Sequence, residues 1–181
     1  MIIALAGRRI DEPDAKTPSF PLAAVPIVRE RVRKFLEQQR ASVLVSSAAC
    51  GADLVALEEA GALGLRRRVV LPFAPKRFRK TSVIDRPGDW GPIYDCVLAE
   101  VEGRDDLLVL DCSGEEQCYA AVNSAILDDA VALAKAAGEH AMAAIVWDAR
   151  ARGREDLTRA FMHEARSRNL PLSQIATTVA E

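Results

Sequence analysis

The sequence predicts an α/β protein with a Rossmann-like, doubly wound fold, in which a mainly parallel sheet of five to six strands carries helices on both faces. Short apolar runs alternate along the chain with segments of helical periodicity, an order that favours β-α-β crossovers and a parallel sheet. The apolar runs are continuously hydrophobic, which is typical of strands covered on both faces. Half of the 181 residues are hydrophobic and 28% are charged, a composition that suits one globular domain over residues 1–181.

Hydrophobic patterning predicts the elements in chain order. Ile2–Ala6 is a buried strand ending at Gly7, and the stripe from Val25 to Leu36 has charged residues opposite it, as in an amphipathic helix. The cleanest helical stripe runs from Trp90 to Val101. Two stretches, 8–21 and 74–89, are predicted to be irregular loops. The other predicted elements are strands over Ser42–Ser46, Arg68–Phe73, Asp106–Asp111, Ala143–Asp148 and, at an edge, Leu172–Val179, and helices over Ala52–Leu63, Glu115–Ala137 and Leu157–Ala165.

Composition argues against several classes of protein. The net charge of -2 gives no basic excess, so nucleic acid is not an expected partner. The apolar N-terminal run is too short for a signal peptide, and no stretch reaches the ~20 apolar residues of a membrane span, so we expect a cytoplasmic protein with no membrane partner. The four cysteines lack the spacing of a zinc site and are interpreted as reduced thiols. We therefore expect neither a metal nor a cofactor.

The turn after the second predicted strand is the most informative segment for a binding site. In open α/β sheets, ligands bind outside the carboxyl ends of the strands. The run Ser46–Asp53 consists almost entirely of small residues between a strand and a helix. Small side chains let a ligand approach the backbone, and a helix N-terminus favours an anion. A tight strand–helix turn also needs small residues, and Asp53 is equally interpreted as a helix-start carboxylate.

The end of the first predicted strand carries two arginines. Gly7, Arg8 and Arg9 follow one another directly, and a guanidinium group binds phosphate well, often through two parallel hydrogen bonds. The alternative is a solvated loop with surface ion pairs. The position at the carboxyl end of a strand favours at least one of these arginines in the site.

Other residues at strand ends have two interpretations each. Phe73 is a candidate to stack on a base, although an aromatic residue there is more often part of the core. The basic loop from Lys76 to Arg86 fits a lid over a phosphorylated ligand, a solvated stretch or a contact with an acidic partner equally well. Cys50 lies at a helix start, where the pKa of a thiol tends to fall, but no histidine is close in sequence to activate it.

Three groups of residues resemble the SLOG superfamily. They are the segment Gly7–Asp11, the turn Ser47–Asp53 followed by Glu58–Ala60, and the segment Leu71–Val83. Members of this superfamily have Rossmann-like folds. They include DNA-processing proteins with a similar S-G-A-x-G-x-D turn, phosphoribohydrolases that release cytokinin bases, and sensor domains for nucleotide-derived signals. The resemblance covers nearly the whole chain in element order and therefore implies a ligand site at the carboxyl edge of the sheet.

The resemblance also implies roles for particular residues. Gly7 and Arg8 line the floor of the site in this interpretation, and Asp53 organises the turn. Asp148 and Thr158 close the far side. Contacts to phosphate or ribose come from a hydroxyl group and backbone N–H groups of the small-residue turn, namely Ser47, Ala49 and Gly51. The phosphoribohydrolases carry a P-G-G-x-G-T-x-x-E motif where this chain has Asp111–Gln117 with a single glycine, so their phosphate cradle and paired glutamate are not reproduced.

Three functions remain open from the sequence. The first is a binding or sensor domain for a nucleotide-derived small molecule, which the missing glycine-rich motif favours. The second is a nucleoside or nucleotide N-glycosidase, whose chemistry needs a carboxylate at the ribose; the catalytic residue is unknown, and Glu115, Glu116 and Asp148 are the candidates. The third is a nucleic-acid-associated or oligomerisation module, which the acidic balance disfavours. We also expect the chain to form homo-oligomers.

Overall fold

The computed structural model describes residues 1–112, 115–151, 153 and 156–178, and for Glu115 and Glu116 it describes the backbone alone. Strands and helices alternate almost without exception in the described ranges. The strands are β1 (Ile2–Gly7), β2 (Val43–Ser46), β3 (Arg66–Leu71), β4 (Leu107–Val109), β5 (Ala141–Trp147) and β6 (Leu172–Ala176). The helices are α1 (Val25–Gln38), α2 (Ala52–Ala62), α3 (Pro75–Phe78), α4 (Trp90–Gly103), α5 (Glu115–Ala137) and α6 (Leu157–Ser167), with a short 3-10 turn at Leu22–Ala24.

All six strands form one parallel sheet in the order β4-β3-β2-β1-β5-β6. The chain adds β2, β3 and β4 in turn on one side of β1. It then returns to place β5 on the other side of β1, with β6 beyond it. Ile2 is therefore paired with Val43 of β2 on one side and with Ala141 of β5 on the other. This topology confirms the predicted doubly wound α/β fold and places the reversal of strand order between β1 and β5.

Alternation along β1 divides the core into two layers. Ile3 and Leu5 pack with α1, α2 and α4 on one face of the sheet, whereas Ile2 and Ala4 pack with α5 and α6 on the other. Both sets are fully buried, and this explains why the strand is hydrophobic at every position. Each buried Ile or Leu side chain contributes about 1.5–3 kcal/mol to folding.

The stretch 74–89 differs from the irregular loop that the sequence predicts. It begins with α3 and continues as a π-helical turn over Arg79–Val83. Phe78, Ser82 and Val83 are buried, so this segment packs against the body of the protein. The sequence did not indicate this helical segment, because it is short and its few apolar positions lie among basic residues.

Several strand boundaries also differ from prediction, and β5, for example, begins at Ala141 where Ala143 was predicted. β3 begins at Arg66, two residues earlier than expected, because its arginines have ion-pair partners: Arg66 and Arg68 both contact Asp106. β4 is only three residues long and lies at an edge of the sheet. The expected edge strand β6 is present and ends at Ala176; the predicted end, Val179, lies outside the described residues.

The prediction of four reduced cysteines is wrong for two of them. Cys112 and Cys118 form a disulfide that joins the end of β4 to the start of α5, with Cα atoms 5.8 Å apart. Cys50 and Cys96 are free. The sequence did not indicate the bond because it depends on how the chain turns from β4 into α5. Within the described part of the chain, no helix is both long and apolar enough to cross a membrane.

Candidate functional site

A cavity of about 200 Å³ lies at the carboxyl ends of β1 and β2, beside the reversal of strand order. Its floor is built from the end of β1 and the turn after β2, where Gly7, Ser47 and Ala49 line it. Its opposite wall comes from α5 and the start of α6. Crevices at this position are where open α/β sheets bind their ligands, so the fold positions the cavity where the sequence predicts a site.

Gly7 is required where the floor is most crowded. A Cβ atom on this residue would lie 2.4 Å from the Cβ of Ala52 and 2.8 Å from the carbonyl oxygen of Val146. Only a residue without a side chain lets the start of α2 approach β1 and β5 so closely. Gly7 has no side chain and Ala52 has a short one, so the two elements pack closely at the floor of the cavity.

Gly51 sets the path of the turn. Its φ of 101° lies in the left-handed region, and its backbone forms an isolated bridge with Arg9. A Cβ atom here would lie 2.8 Å from the carbonyl oxygen of Arg8. Gly51 is not part of the cavity lining, so the structure places it as a turn residue at the N-cap of α2.

Asp53 lies in the first turn of α2 and lines the cavity. Its Oδ2 atom accepts a hydrogen bond from the backbone N–H of Ala49 at 3.3 Å, whereas its buried Oδ1 atom has no hydrogen-bond partner. Burial raises the pKa of Asp53 to about 7, although the Ala49 amide, the charge of Arg9, the Ser46 hydroxyl and the Gly7 amide act in the opposite direction. This carboxyl group therefore changes its charge near neutral pH.

Arg9 supplies the positive charge of the cavity lining. One of its terminal nitrogens donates to Asp85 and lies 3.5 Å from the Sγ atom of Cys50, while its Nε atom is buried without a hydrogen-bond partner. The Cys50 thiol is itself fully buried, and burial raises its pKa. The thiol is therefore not activated as a nucleophile.

The wall opposite the floor combines apolar and hydroxyl groups. Phe78, Val122, Ile126 and Leu157 form its apolar part. The hydroxyl groups of Ser82 and Tyr119 are hydrogen-bonded to each other at 3.0 Å. Asn123 and Thr158 complete the lining, and the Asn123 side chain donates to the carbonyl oxygen of Leu157 at 2.9 Å, which ties α5 to the start of α6.

Arg8 and Asp148 contact each other and are not part of the lining. The Nε atom of Arg8 donates to Asp148 at 3.0 Å, and its other nitrogens donate to Asp156 and to the carbonyl oxygen of Arg150. Asp148 also accepts from the hydroxyl of Ser19 at 2.8 Å. The proximity follows from the register, since Gly7 is paired with Val146. Their charges are satisfied within the protein.

Phe73 supports the cavity from outside. It is buried, its ring contacts those of Phe78 and Tyr119 at centroid distances of 6.0 and 6.2 Å, and the guanidinium of Arg77 lies over it at 4.1 Å. Trp90 and Tyr94 are buried core residues, as their helical stripe predicts.

Two glutamates proposed from the sequence begin α5, and their side chains lie outside the described part of the structure. These are Glu115 and Glu116. Residues 113 and 114 of the segment that replaces the glycine-rich motif are also outside it.

Of the wall residues, Thr158 was proposed from the sequence, whereas Ser82, Tyr119 and Asn123 were not. Ser82 lies in the stretch predicted to be irregular, and Tyr119 and Asn123 lie in an alanine-rich helix. One signal was present: Tyr119 and Asn123 are four residues apart and share a face of α5. No group of three or more potential metal ligands occurs among the residues that the structure describes.

The fold and cavity define a Rossmann-like α/β protein with a crevice at the carboxyl edge of its sheet. No family model and no curated protein matches the chain. Among solved structures, the chain is similar to DNA processing protein A (DprA) from Streptococcus pneumoniae, with 14% sequence identity and a TM-score of 0.42. The alignment covers 94% of this chain and 57% of that one.

Proposed function

We propose that the chain binds a nucleotide-derived or phosphorylated ligand in the cavity at the carboxyl edge of the sheet, as a binding or sensor domain. The observation that carries this proposal is the place of Arg9. Its side chain is 31% exposed and lines a cavity at the reversal of strand order, where it is the cationic residue of the lining. A phosphate oxygen is the acceptor that a guanidinium binds best.

The two halves of the cavity match the two halves of a nucleotide. The floor of small residues suits close approach of a sugar and phosphate to the backbone, and the apolar wall of Phe78, Val122, Ile126 and Leu157 suits the face of a base. The volume of about 200 Å³ is below the ~300–1,000 Å³ of pockets that enclose a whole drug-sized ligand. We infer that part of the ligand lies at the mouth.

The resemblance to the SLOG superfamily supports the same proposal. It rests mainly on the turn Ser47–Asp53 and the segment Leu71–Val83, together with Gly7–Asp11, and residues of all three segments line the cavity, among them Gly7, Ser47 and Phe78. Membership of that superfamily is part of the proposal.

One observation favours a second function, N-glycoside hydrolysis. Asp53 lines the cavity and its pKa is raised to about 7 by burial, so at neutral pH it retains a proton that a departing base could accept. Of the carboxylates proposed from the sequence, Asp148 is paired with Arg8 and does not line the cavity. Asp53 is therefore the carboxyl group to test for turnover.

A combined binding and turnover screen tests the proposal. The protein is incubated with nucleotides, NAD, ADP-ribose, cyclic nucleotides and a single-stranded oligonucleotide, and both thermal shift and released base are measured. We expect a rise in melting temperature with at least one phosphate-bearing small molecule and no released base. Base release that Asp53→Asn abolishes would establish the glycosidase instead. A shift with the oligonucleotide alone would overturn the small-molecule proposal.

A matched pair of variants assigns any shift to the cavity. Arg9→Met removes the positive charge from the lining. Arg168→Met removes a comparably exposed arginine at the C-terminal end of α6, which pairs with Asp128 and Glu164. We expect the first variant to lose the shift and the second to retain it. Equal shifts in both variants would exclude Arg9 as the phosphate contact.

The expected homo-oligomer is measured on the same samples by light scattering.

A further inference from the structure

The side-chain amide of Asn123 is only half used by the protein. Its Nδ2 atom donates to the carbonyl oxygen of Leu157 at 2.9 Å. Its Oδ1 atom accepts from no donor in the described part of the chain and, unlike Oδ1 of Asp53, is not one of the fully enclosed polar atoms there. Because Asn123 lines the cavity, this oxygen is an acceptor that a ligand can reach.

The hydrogen bond to Leu157 fixes the direction in which the amide faces. Turning the amide over would place Oδ1 against the carbonyl oxygen of Leu157, so that two acceptors would face each other. The hydroxyl groups of the same wall, on Ser82, Tyr119 and Thr158, can rotate to donate or to accept. Oδ1 of Asn123 can only accept, and it is therefore the atom of this wall that distinguishes a donor from an acceptor on the ligand.

Asn123 lies beside the apolar surface that suits a base. Four residues of α5 line the cavity, with Val122 and Ile126 on one side of the lining face and Tyr119 and Asn123 on the other. At about 100° per residue, the two pairs are centred roughly 60° apart around the helix axis. A planar ring packed on Val122 and Ile126 therefore directs an edge toward Asn123.

We propose that Oδ1 of Asn123 accepts a hydrogen bond from an exocyclic amino group of the bound base, so that the site selects amino-bearing bases over their oxo counterparts. This inference rests on the proposed function and names the residue that contacts the edge of the base. Asparagine pairs with the amino group of adenine in the same way when proteins bind DNA through its major groove.

An oxo group in the same position opposes Oδ1. The two oxygens are both acceptors, so neither gains a hydrogen bond and the ligand loses the water that its oxygen had bound. The amide does not relieve this by turning over, because it would then lose its bond to Leu157. Selection therefore comes both from attraction of an amino group and from repulsion of an oxygen.

Calorimetric titration with paired nucleotides tests the inference. AMP and CMP carry an exocyclic amino group where IMP and UMP carry an oxygen, so each pair holds the ring size, sugar and phosphate constant. For the ring size that binds, we expect the amino-bearing member to bind about tenfold or more tightly than its counterpart. Equal affinity within the pair, or a preference for the oxo member, would overturn this inference while leaving the proposed function intact. If none of the four compounds binds, the proposed function fails for nucleoside monophosphates, and this inference fails with it.

Asn123→Ala tests the residue itself, because it removes the acceptor from the wall. We expect this variant to bind the amino and oxo members of a pair within about twofold of each other. Ser124→Ala is the matched control: it removes a hydrogen bond between α5 and Glu164 of α6, and Ser124 does not line the cavity. The control should keep the preference.

Two results from the variants would contradict the assignment. A preference that persists unchanged in Asn123→Ala would show that another group selects the base. Loss of the preference in both variants would show that it depends on the packing of α5 against α6. The wild-type comparison decides the inference if Asn123→Ala does not fold.

Discussion

The guanidinium of Arg8 donates to both carboxylate oxygens of Asp156, at 2.7 and 2.9 Å, and so joins the end of β1 to the N-cap of α6. Asp156 also accepts the backbone N–H of Arg159 at 3.1 Å, as an N-cap does. The residues that follow it, Leu157 and Thr158, line the cavity. Arg8 thus positions one wall of the candidate site without lining it.

Loss of the Arg8 charge should destabilise the protein strongly. Arg8→Met removes the cation that pairs with Asp148 and Asp156, whose side chains are 2% and 0% exposed. We expect a loss of about 3–5 kcal/mol in the free energy of unfolding, measured with urea. Arg168→Met, in a surface pair with Asp128, should cost no more than about 1 kcal/mol. Similar losses in both variants would mean that the Arg8 network is not a buried one.

Asp53 should make stability depend on pH. The folded-state pKa of about 7 lies above the ordinary value of 3.8, so between these values the folded protein retains a proton that the unfolded chain has lost. This contribution to stability is present in full below about pH 4 and falls as pH rises toward 7. Asp53→Asn has no titrating carboxyl group at this position. Its free energy of unfolding should therefore rise relative to that of the wild type by on the order of 3 kcal/mol across this range. Urea unfolding of both proteins at pH 4.5 and pH 8 makes the comparison. A difference in free energy of unfolding between wild type and Asp53→Asn that is the same at both pH values would refute the raised pKa.

Gly7 should not accept a side chain. Gly7→Ala places a Cβ atom against Ala52 and the backbone of β5, and we expect a loss of about 1–3 kcal/mol from this overpacking. Gly103→Ala at the end of α4 meets no atom within 4 Å and should be neutral or stabilising. Thermal unfolding of the two variants makes the comparison. An unchanged melting temperature for Gly7→Ala would show that the contact between α2 and β1 is looser than described.

The cysteines should divide into two groups. Cys112 and Cys118 are joined, Cys96 is exposed and Cys50 is buried. A thiol reagent should therefore detect one thiol in the native protein, two after unfolding without reductant and four after unfolding with reductant. Four thiols in unreduced, unfolded protein would contradict the disulfide.

The order of elements could be predicted because the central strands β1 and β5 are apolar throughout and the long helices have their own periodicity. The floor of the cavity was also predictable, since Gly7 and the turn after β2 are next to strand ends in the sequence. The sequence could not show that Arg9 lines the cavity whereas Arg8 is paired within the protein. That pairing depends on Asp148 and Asp156, which lie 140 and 148 residues further along the chain.

Apart from Thr158, the far wall could not be predicted from the sequence for a similar reason. Ser82 and Tyr119 come from distant segments, and no pattern in the sequence around either residue indicates a binding site. Only the packing of the turn over Arg79–Val83 against α5 brings their hydroxyl groups to 3.0 Å.

The central claim is that the cavity at the carboxyl ends of β1 and β2 binds a phosphate-bearing, nucleotide-derived ligand. Amide chemical shifts in a ¹H–¹⁵N NMR titration test it most directly, with the compound that gives the largest thermal shift. The account predicts changes concentrated at Gly7, Ser47, Ala49 and Asp53, and their loss in Arg9→Met. Changes concentrated instead around Met1, His140 and Asn169, which line a groove at the other edge of the sheet, would contradict it.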